Sequence, residues 1–156
     1  MVGNTDARAE AHYGSLLAPY LSDPTNIFVI SSDFCHWGSR FRYTYYQPPG
    51  SSSGISLKSN SKVASDFPIH ESIAAVDKES MDAVEVGSHK GYLQQLRETG
   101  NTVCGRHPIG VFLAAVEQAG LAEGKGRFKF VRYDRSSLVE DVRDSSVSYA
   151  SAFAVL

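Results

Sequence analysis

The chain has 156 residues, the length of one domain, and its 42% hydrophobic content is enough to bury a core. The formal net charge is −2 and acidic and basic residues are interspersed, a pattern that argues against nucleic-acid binding. No apolar run reaches the length of a membrane span, and the first residues lack the apolar core of a signal peptide. These features predict a cytosolic or nuclear protein. Its two cysteines, Cys35 and Cys104, are then expected to be thiols or metal ligands rather than a disulfide.

The first predicted element is an amphipathic helix over residues 6–21, which Asp23-Pro24 ends. Four larger side chains are expected to share one face of this helix: His12, Leu16, Leu17 and Tyr20. The apolar run that follows predicts a buried strand over Ile27–Ser31.

The composition changes at residues 48–65. Pro48-Pro49-Gly50-Ser-Ser-Ser-Gly54 opens a serine-rich stretch with almost no apolar side chains. Such a stretch cannot bury enough surface to order itself, so it predicts a flexible insertion. It is not a domain linker, because the segment before it is too short to be a domain. Residues 1–156 are therefore treated as part of a single domain.

The second half of the chain predicts three helices and then two strands. The helices span residues 68–86, residues 88–98 and the segment from Pro108 to Gly120. Ser88 is a candidate N-cap, and proline suits a first helical turn. Alternating side chains then predict a strand over 127–134, and small, β-branched and aromatic residues predict a last strand over 145–156.

Polar side chains follow the predicted strand Ile27–Ser31 directly, at Asp33, Cys35 and His36. Ligands of open α/β sheets bind just past the carboxyl ends of strands. Asp33 can orient an imidazole that exchanges protons near neutral pH, so Asp33 and His36 are a candidate site pair. The alternative is structural, with Asp33 capping a turn and His36 bonded to the backbone.

Six aromatic residues surround this pair: Phe34, Trp37, Phe41, Tyr43, Tyr45 and Tyr46. Such a cluster forms the wall of a pocket or a surface for a partner. Ordinary core packing explains it equally well. The sequence leaves both interpretations open.

Cys104 is the second candidate, because it precedes a predicted helix and lies two residues from Arg106. Both the helix dipole and the positive charge favour a thiolate, which is a soft metal ligand or a nucleophile. The alternative is a small buried hydrophobic residue. His107 is either a partner of the site or a packing residue. Three further histidines lie among charged residues and are expected to be solvated: His12, His70 and His89.

Longer motifs add a family resemblance. Ser31-Ser-Asp-Phe-Cys-His-Trp-Gly38, Arg40-Phe-Arg-Tyr-Thr-Tyr-Tyr46, Asn101-Thr-Val-Cys-Gly-Arg-His-Pro-Ile-Gly110 and Asp144-Ser-Ser-Val-Ser-Tyr-Ala150 resemble the Memo family, the mediators of ErbB-driven cell motility. Their order and spacing match from about Ala9 to the C-terminus. The resemblance implies a fold related to the class III extradiol non-haem dioxygenases, an α/β fold with a mixed sheet flanked by helices. It also implies a role in receptor-tyrosine-kinase signalling, phosphotyrosine-peptide recognition, and copper or iron binding with redox activity.

The resemblance also assigns residues. Cys104 matches a metal ligand of the family, and His36 matches the position of a dioxygenase catalytic histidine, with Asp33 beside it. Trp37, Arg106 and His107 are expected to line the same pocket. Family members carry an additional amino-terminal half, which holds their metal-binding histidines. The fold is therefore expected to be incomplete at its N-terminus, to hold copper or iron weakly, and to associate with the missing half or with itself.

Three functional hypotheses follow. The first is a signalling protein with a copper or iron redox pocket, whose enzymatic activity stays open. The second is a phosphotyrosine-peptide binding module that combines the aromatic residues with Arg40, Arg42 and Arg106, since arginine bonds two phosphate oxygens at once. The third is a hydrolase that uses Cys104 with His36 or His107. It ranks last, because no sequence feature sets up an oxyanion hole.

Overall fold

The computed structural model describes residues 3–51 and 53–156 and has an α/β architecture. Its helices are α1 (Ala7–Leu21), α2 (Ile69–Val86), α3 (His89–Thr99) and α4 (Arg106–Ala119). Its strands are β1 (His36–Trp37), β2 (Tyr45–Tyr46), β3 (Ile55–Ser56), β4 (Phe128–Arg135) and β5 (Ser146–Ala154), and a 3-10 helix spans Ser39–Phe41. None of the helices in the described ranges combines the length and the apolar character needed to cross a bilayer.

β5 is the central strand of the larger sheet, whose order is β1-β5-β4. Both pairings are antiparallel: His36 is opposite Val147, and Phe128 is opposite Ala154. The smaller sheet is the antiparallel pair of β2 and β3. The strands predicted over 127–134 and 145–156 are confirmed as β4 and β5.

The helices begin and end where capping chemistry predicts. The Asp6 carboxylate accepts a hydrogen bond from the Ala9 N–H at 2.8 Å, and the Ser88 hydroxyl accepts one from the Gly91 N–H at 3.2 Å. Gly100 ends α3 at a φ of +66°, which glycine adopts without a steric penalty. All four predicted helices are confirmed within two residues at each end.

The buried face of α1 differs from the prediction. Leu16 and Tyr20 are 55% and 57% exposed, and the residues that face the core are Glu10, Gly14, Ala18 and Leu21. A Cβ atom at Gly14 would lie 2.7 Å from the Ala114 Cβ, so α1 lies directly against α4. Close contact between the two helices thus selects small side chains; of the four predicted residues only Leu17 packs against the core, and His12, Leu16 and Tyr20 are exposed.

The strand predicted over Ile27–Ser31 is also wrong. Ile27 and Val29 are each 88% exposed, and the backbone of residues 27–31 makes no hydrogen bond with any other described residue. Regular pairing with β5 begins only where the Phe34 N–H donates to the Ser148 carbonyl at 2.8 Å. A groove of about 700 Å³ separates residues 27–30 from the end of β5. The run is apolar enough for a strand, but no partner strand lies beside it.

Hydrogen exchange tests this correction. We expect the amides of residues 27–31 to exchange far faster than those of β5, because exchange requires a free N–H and these amides donate to no described group. Exchange measured residue by residue by NMR gives the comparison within one sample. Protection at Phe28 and Ile30 equal to that of β5 would show a paired strand and contradict the structure.

The serine-rich stretch is attached to the fold at its centre. Gly54 donates its N–H to the Tyr45 hydroxyl at 2.8 Å, and β3 pairs with β2. Leu57 is only 5% exposed and packs in a cluster with Ile69 and Ile73. The flexibility of the remaining serine-rich residues stays a prediction.

A buried carboxylate on α2 joins three parts of the fold. Asp77 accepts hydrogen bonds from the Cys35 N–H at 3.1 Å, the Asn101 side-chain amide at 3.0 Å and the Tyr133 hydroxyl at 2.8 Å. Burial raises the pKa of Asp77, although hydrogen bonds to the carboxylate oppose that rise. The network fixes the segment before β1 relative to the loop before α4, and these two segments carry the candidate site.

Candidate metal centre

Asp33, His36 and Cys104 come together in the structure. One carboxylate oxygen, one imidazole nitrogen and the thiol sulfur all lie within 4.8 Å of one another. Asp33 precedes β1, His36 begins it, and Cys104 lies in the loop between α3 and α4. The site therefore joins two segments that are 71 residues apart at Asp33 and Cys104.

Reciprocal hydrogen bonds hold these two segments together. The Asp33 N–H donates to the Cys104 sulfur at 3.0 Å, and the Cys104 N–H donates to the Asp33 carbonyl at 3.2 Å. Next to them, the Gly105 N–H donates to the Ser32 hydroxyl at 2.9 Å. A Cβ at position 105 would lie 2.4 Å from the Ser32 Cβ, so this approach requires glycine. The Cys104 sulfur is thus placed by backbone geometry rather than by a flexible side chain.

His36 is held at its backbone and against an aromatic ring. The Thr102 hydroxyl accepts from the His36 N–H at 2.8 Å and donates to the His36 carbonyl at 3.1 Å. The imidazole stands edge to face with Phe41 at a centroid distance of 5.1 Å. Its Nε2 lies 3.7 Å from a carboxylate oxygen of Asp33, too far for a hydrogen bond, and is buried without a partner among the described residues. A buried polar atom without a partner is costly, which marks Nε2 as a candidate ligand atom.

The donor set fits a first-row transition metal. Thiolate and imidazole are ligands that copper, iron and zinc share, and carboxylate adds a hard oxygen donor. Cys104 is exposed and the Asp33 side chain is 43% exposed, so the cluster is open to solvent. Three protein donors in an open cluster leave coordination positions for further ligands.

The other predicted pocket residues lie in different surroundings. Trp37 is fully buried, and its Nε1–H donates to the Tyr45 carbonyl at 2.8 Å. Arg106 is exposed and donates through Nε to the His107 Nε2 at 3.3 Å. The assignment of Trp37, Arg106 and His107 to a ligand pocket stays a prediction.

Most of the aromatic cluster packs in the core. Phe34, Trp37 and Tyr46 are each at most 3% exposed. Tyr43 donates its hydroxyl to the Thr99 carbonyl at 3.0 Å, and burial raises the pKa of this phenol. Of the two interpretations left open by the sequence, core packing accounts for these four residues. Phe41 instead stands edge to face with the His36 ring of the candidate site.

Sequence reasoning missed a buried carboxylate close to this region. Glu10 is 1% exposed, and its two oxygens lie 2.7 Å from His89 Nε2 and 2.8 Å from His107 Nδ1. Thr5 donates its hydroxyl to the same carboxylate at 3.0 Å. The expectation that His89 is solvated is wrong, because its side chain is 10% exposed and bonded to Glu10. Gly110 makes room for this carboxylate, because a Cβ there would lie 2.4 Å from a Glu10 oxygen.

Comparison with known proteins adds a family. The model of the Memo-like protein family matches residues 1–153. The chain is 40% identical to "Protein MEMO1" of Danio rerio over 156 residues, which is 100% of this chain and 47% of that relative. It is 39% identical to "Protein MEMO1" of Homo sapiens over 151 residues, or 97% of this chain and 46% of the relative.

A less similar relative also aligns with almost all of this chain but with less than half of its own length. The chain is 38% identical to "Protein memo-1 homolog" of Caenorhabditis elegans over 152 residues, covering 97% of this chain and 39% of that protein. The chain thus spans about half the length of the curated relatives it matches or less. The similarity extends over the whole site and all the described elements.

Proposed function

The chain belongs to the Memo-like protein family, and from that premise we propose that Asp33, His36 and Cys104 supply ligands to a copper or iron redox site. One observation carries the proposal. The three ligand atoms lie within 4.8 Å of one another, and the imidazole nitrogen among them is buried without a hydrogen-bond partner among the described residues. A metal at this position would satisfy that nitrogen.

Each residue has a distinct role in the proposal. Cys104 supplies the sulfur ligand that anchors the metal, and its sulfur is held in place by the hydrogen bond from the Asp33 N–H at 3.0 Å. His36 offers Nε2 and Asp33 offers its carboxylate, both from the segment at β1 that faces the Cys104 loop. A bound copper or iron ion would supply one-electron redox chemistry. The acid–base role expected for His36 and Asp33 by resemblance to dioxygenases is part of the proposal and awaits a substrate.

Further ligands belong to the proposal as well. Three donors leave the site open, and the relatives are longer than this chain by about half of their own length. We propose that the rest of a longer polypeptide or a second copy completes the coordination. Four further proposals rest on family membership alone. They are a fold related to that of the dioxygenases, a role in signalling and cell motility, binding to signalling partners, and a cytosolic or nuclear location.

Metal binding by matched variants tests the proposal. We expect the chain to bind copper or iron measurably but weakly in equilibrium dialysis, and Cys104→Ser and His36→Gln each to weaken that binding by at least about tenfold. His12→Gln is the matched control, since His12 is exposed and lies on α1. Circular dichroism establishes that every variant is folded. Binding unchanged in both site variants would refute the proposed centre.

Phosphotyrosine-peptide binding is the second candidate. The three arginines that sequence reasoning assigned to it have separate contacts: Arg40 lies over the Phe41 ring at 4.5 Å, and Arg106 donates to His107. Arg42 lines another cleft, which contains neither of the other two. The candidate therefore ranks below the metal site. Peptide affinity that falls with salt and survives chelation of metals would favour it.

The hydrolase hypothesis remains third, because no described histidine donates to or accepts from the Cys104 sulfur.

A further inference from the structure

The groove beside residues 27–30 lies between two unpaired strand edges, and this segment forms the first. Its side chains alternate as they do in a strand: Ile27 and Val29 are each 88% exposed, whereas the Phe28 ring packs against Phe112 at a centroid distance of 5.7 Å. Its backbone makes no hydrogen bond with any other described residue. The segment therefore has the side-chain pattern of a strand without a neighbour to pair with.

The opposite wall of the groove is a free edge of β5. The Ser148 N–H donates to the Cys35 carbonyl at 2.9 Å, and the Ser148 carbonyl accepts from the Phe34 N–H at 2.8 Å, so both backbone groups of Ser148 point to the β1 side of the strand. Every second residue of an antiparallel strand points its N–H and C=O groups to the same side. The backbone groups of Ala150 and Ala152 therefore point toward the groove, where no described residue bonds to them.

The side chains that line the groove are mainly apolar. Ile109 and Phe112 of α4 are buried there, and Phe128 and Phe130 of β4 lie beside them. Among the described residues of the lining, Asp23 is the one with a charged side chain. An occupant must therefore bond to N–H and C=O groups on two sides and place apolar side chains against this lining. A hydrocarbon chain has no hydrogen-bonding groups, whereas a polypeptide strand meets both requirements.

We propose that the groove binds one extended, apolar polypeptide strand, which pairs with residues 27–30 on one side and with β5 on the other. Main-chain hydrogen bonds of this kind join peptides to exposed sheet edges in other complexes. We assign the strand to the part of the longer family sequence that this chain does not match, since about half of each MEMO1 relative lies outside the match. A second copy is a poorer source, because the longer apolar runs in the described ranges already belong to helices, sheets or the groove wall. Asp33, His36 and Cys104 do not line the groove, so the inference does not depend on the metal site.

Overlapping synthetic peptides, each about 12 residues long, that together cover the unmatched part of Danio rerio MEMO1 test the proposal. The readout is hydrogen exchange by NMR on the metal-free chain. We expect at least one peptide to protect amides within residues 27–31 together with those of Ala150 and Ala152, because these N–H groups then have acceptors. If no peptide protected both edges, the proposal would be overturned. Protection of both edges in the chain alone, together with a dimer in sedimentation, would replace the proposed strand by a second copy.

N-methylation of the bound peptide tests whether both edges pair. Methyl groups on alternate residues remove the N–H groups on one side of a strand, and methyl groups on the intervening residues remove those on the other side. We expect each set to weaken binding by about tenfold or more, since main-chain hydrogen bonds give strand addition its affinity. Weakening by one set alone would indicate pairing with a single wall, and weakening by neither would indicate apolar contact only. Either result would overturn an inserted strand.

A pair of variants tests the location. Ala152→Lys places a charge in the groove, whereas Ser151→Lys places the same charge on the opposite face of β5, outside the groove. Both positions are exposed, so both variants are expected to fold, which circular dichroism establishes. We expect Ala152→Lys to weaken peptide binding by at least about tenfold and Ser151→Lys to leave it unchanged. Equal affinity in the two variants would refute the location. Cys104→Ser should bind the peptide as the original chain does, which separates this proposal from the metal site.

Discussion

Replacing Asp77 with alanine is expected to lower the free energy of unfolding by about 2–4 kcal/mol, a large part of the 5–15 kcal/mol typical of a domain. The reason is that the carboxylate accepts three hydrogen bonds: the buried Cys35 N–H loses its acceptor, and the Asn101 amide and the half-buried Tyr133 hydroxyl keep only their second contacts, to Ser80 and Ser148. Each unsatisfied buried group costs about 1–3 kcal/mol. Urea denaturation followed by circular dichroism measures the change.

Asp82→Ala is the matched control on the same helix. Asp82 is exposed and bonded only to Lys78, so its loss should change stability by about 0.5 kcal/mol or less. A loss below about 1 kcal/mol for Asp77→Ala would mean that water replaces the carboxylate in all three bonds, and the network would not hold the site.

The same residue predicts a pH dependence. Burial raises the pKa of Asp77 above its usual value of 3.8, so the native state binds this proton more tightly than the unfolded state does. The stabilisation from Asp77 is therefore complete below pH 3.8 and falls as the pH rises through the native pKa. Asp77→Asn removes this titration. The difference in free energy of unfolding between Asp77→Asn and the original chain should shift in favour of the variant as the pH rises through the native pKa of Asp77. A difference that does not change with pH would contradict the raised pKa.

Replacing Glu10 with alanine is the second change with a large expected effect, a loss of about 2–4 kcal/mol. The carboxylate is the common partner of His89, His107 and Thr5, and it lies between α1 and the helices α3 and α4. Alanine leaves His89 Nε2 without its partner, leaves Thr5 and His107 only each other at 2.9 Å, and opens a cavity beside Gly110. Urea denaturation again measures the loss.

Glu98→Ala is a suitable control, because Glu98 is exposed on α3 and bonded only to Gln94. Glu10→Gln keeps the shape and one oxygen, so it should lose less than Glu10→Ala. If Glu10→Ala were no more harmful than Glu98→Ala, the two histidines would be held by packing rather than by the carboxylate.

The sequence identifies helices and the later strands because their signals are local. Asp6, Ser88 and Gly100 cap or end helices through groups a few residues away, and alternation marks β4 and β5. Ile27–Ser31 has an equally strong local signal and is not a strand. A strand also requires a neighbour to accept its hydrogen bonds, and composition alone does not indicate whether one is present.

The residues in and near the candidate site likewise include some that the sequence indicates and some that it does not. Asp33, His36 and Cys104 are recognisable because each follows or precedes an element and because the surrounding motifs are long. Glu10 and His89 are not recognisable from the sequence, because their pairing depends on how closely α1 approaches α4. That approach is set by Gly14 and Gly110, where a side chain would collide with the neighbouring helix or with Glu10 itself. On α1, Gly14 and Glu10 share the buried face, and only the packed structure shows this.

X-ray absorption spectroscopy of the copper- or iron-loaded protein tests the central claim most directly. The proposed centre predicts one sulfur ligand together with nitrogen and oxygen ligands, and it predicts that the sulfur signal disappears in Cys104→Ser while His12→Gln keeps it. A loaded protein whose metal has only nitrogen and oxygen ligands, or whose sulfur signal survives Cys104→Ser, would contradict the assignment of Cys104 and the site built on it.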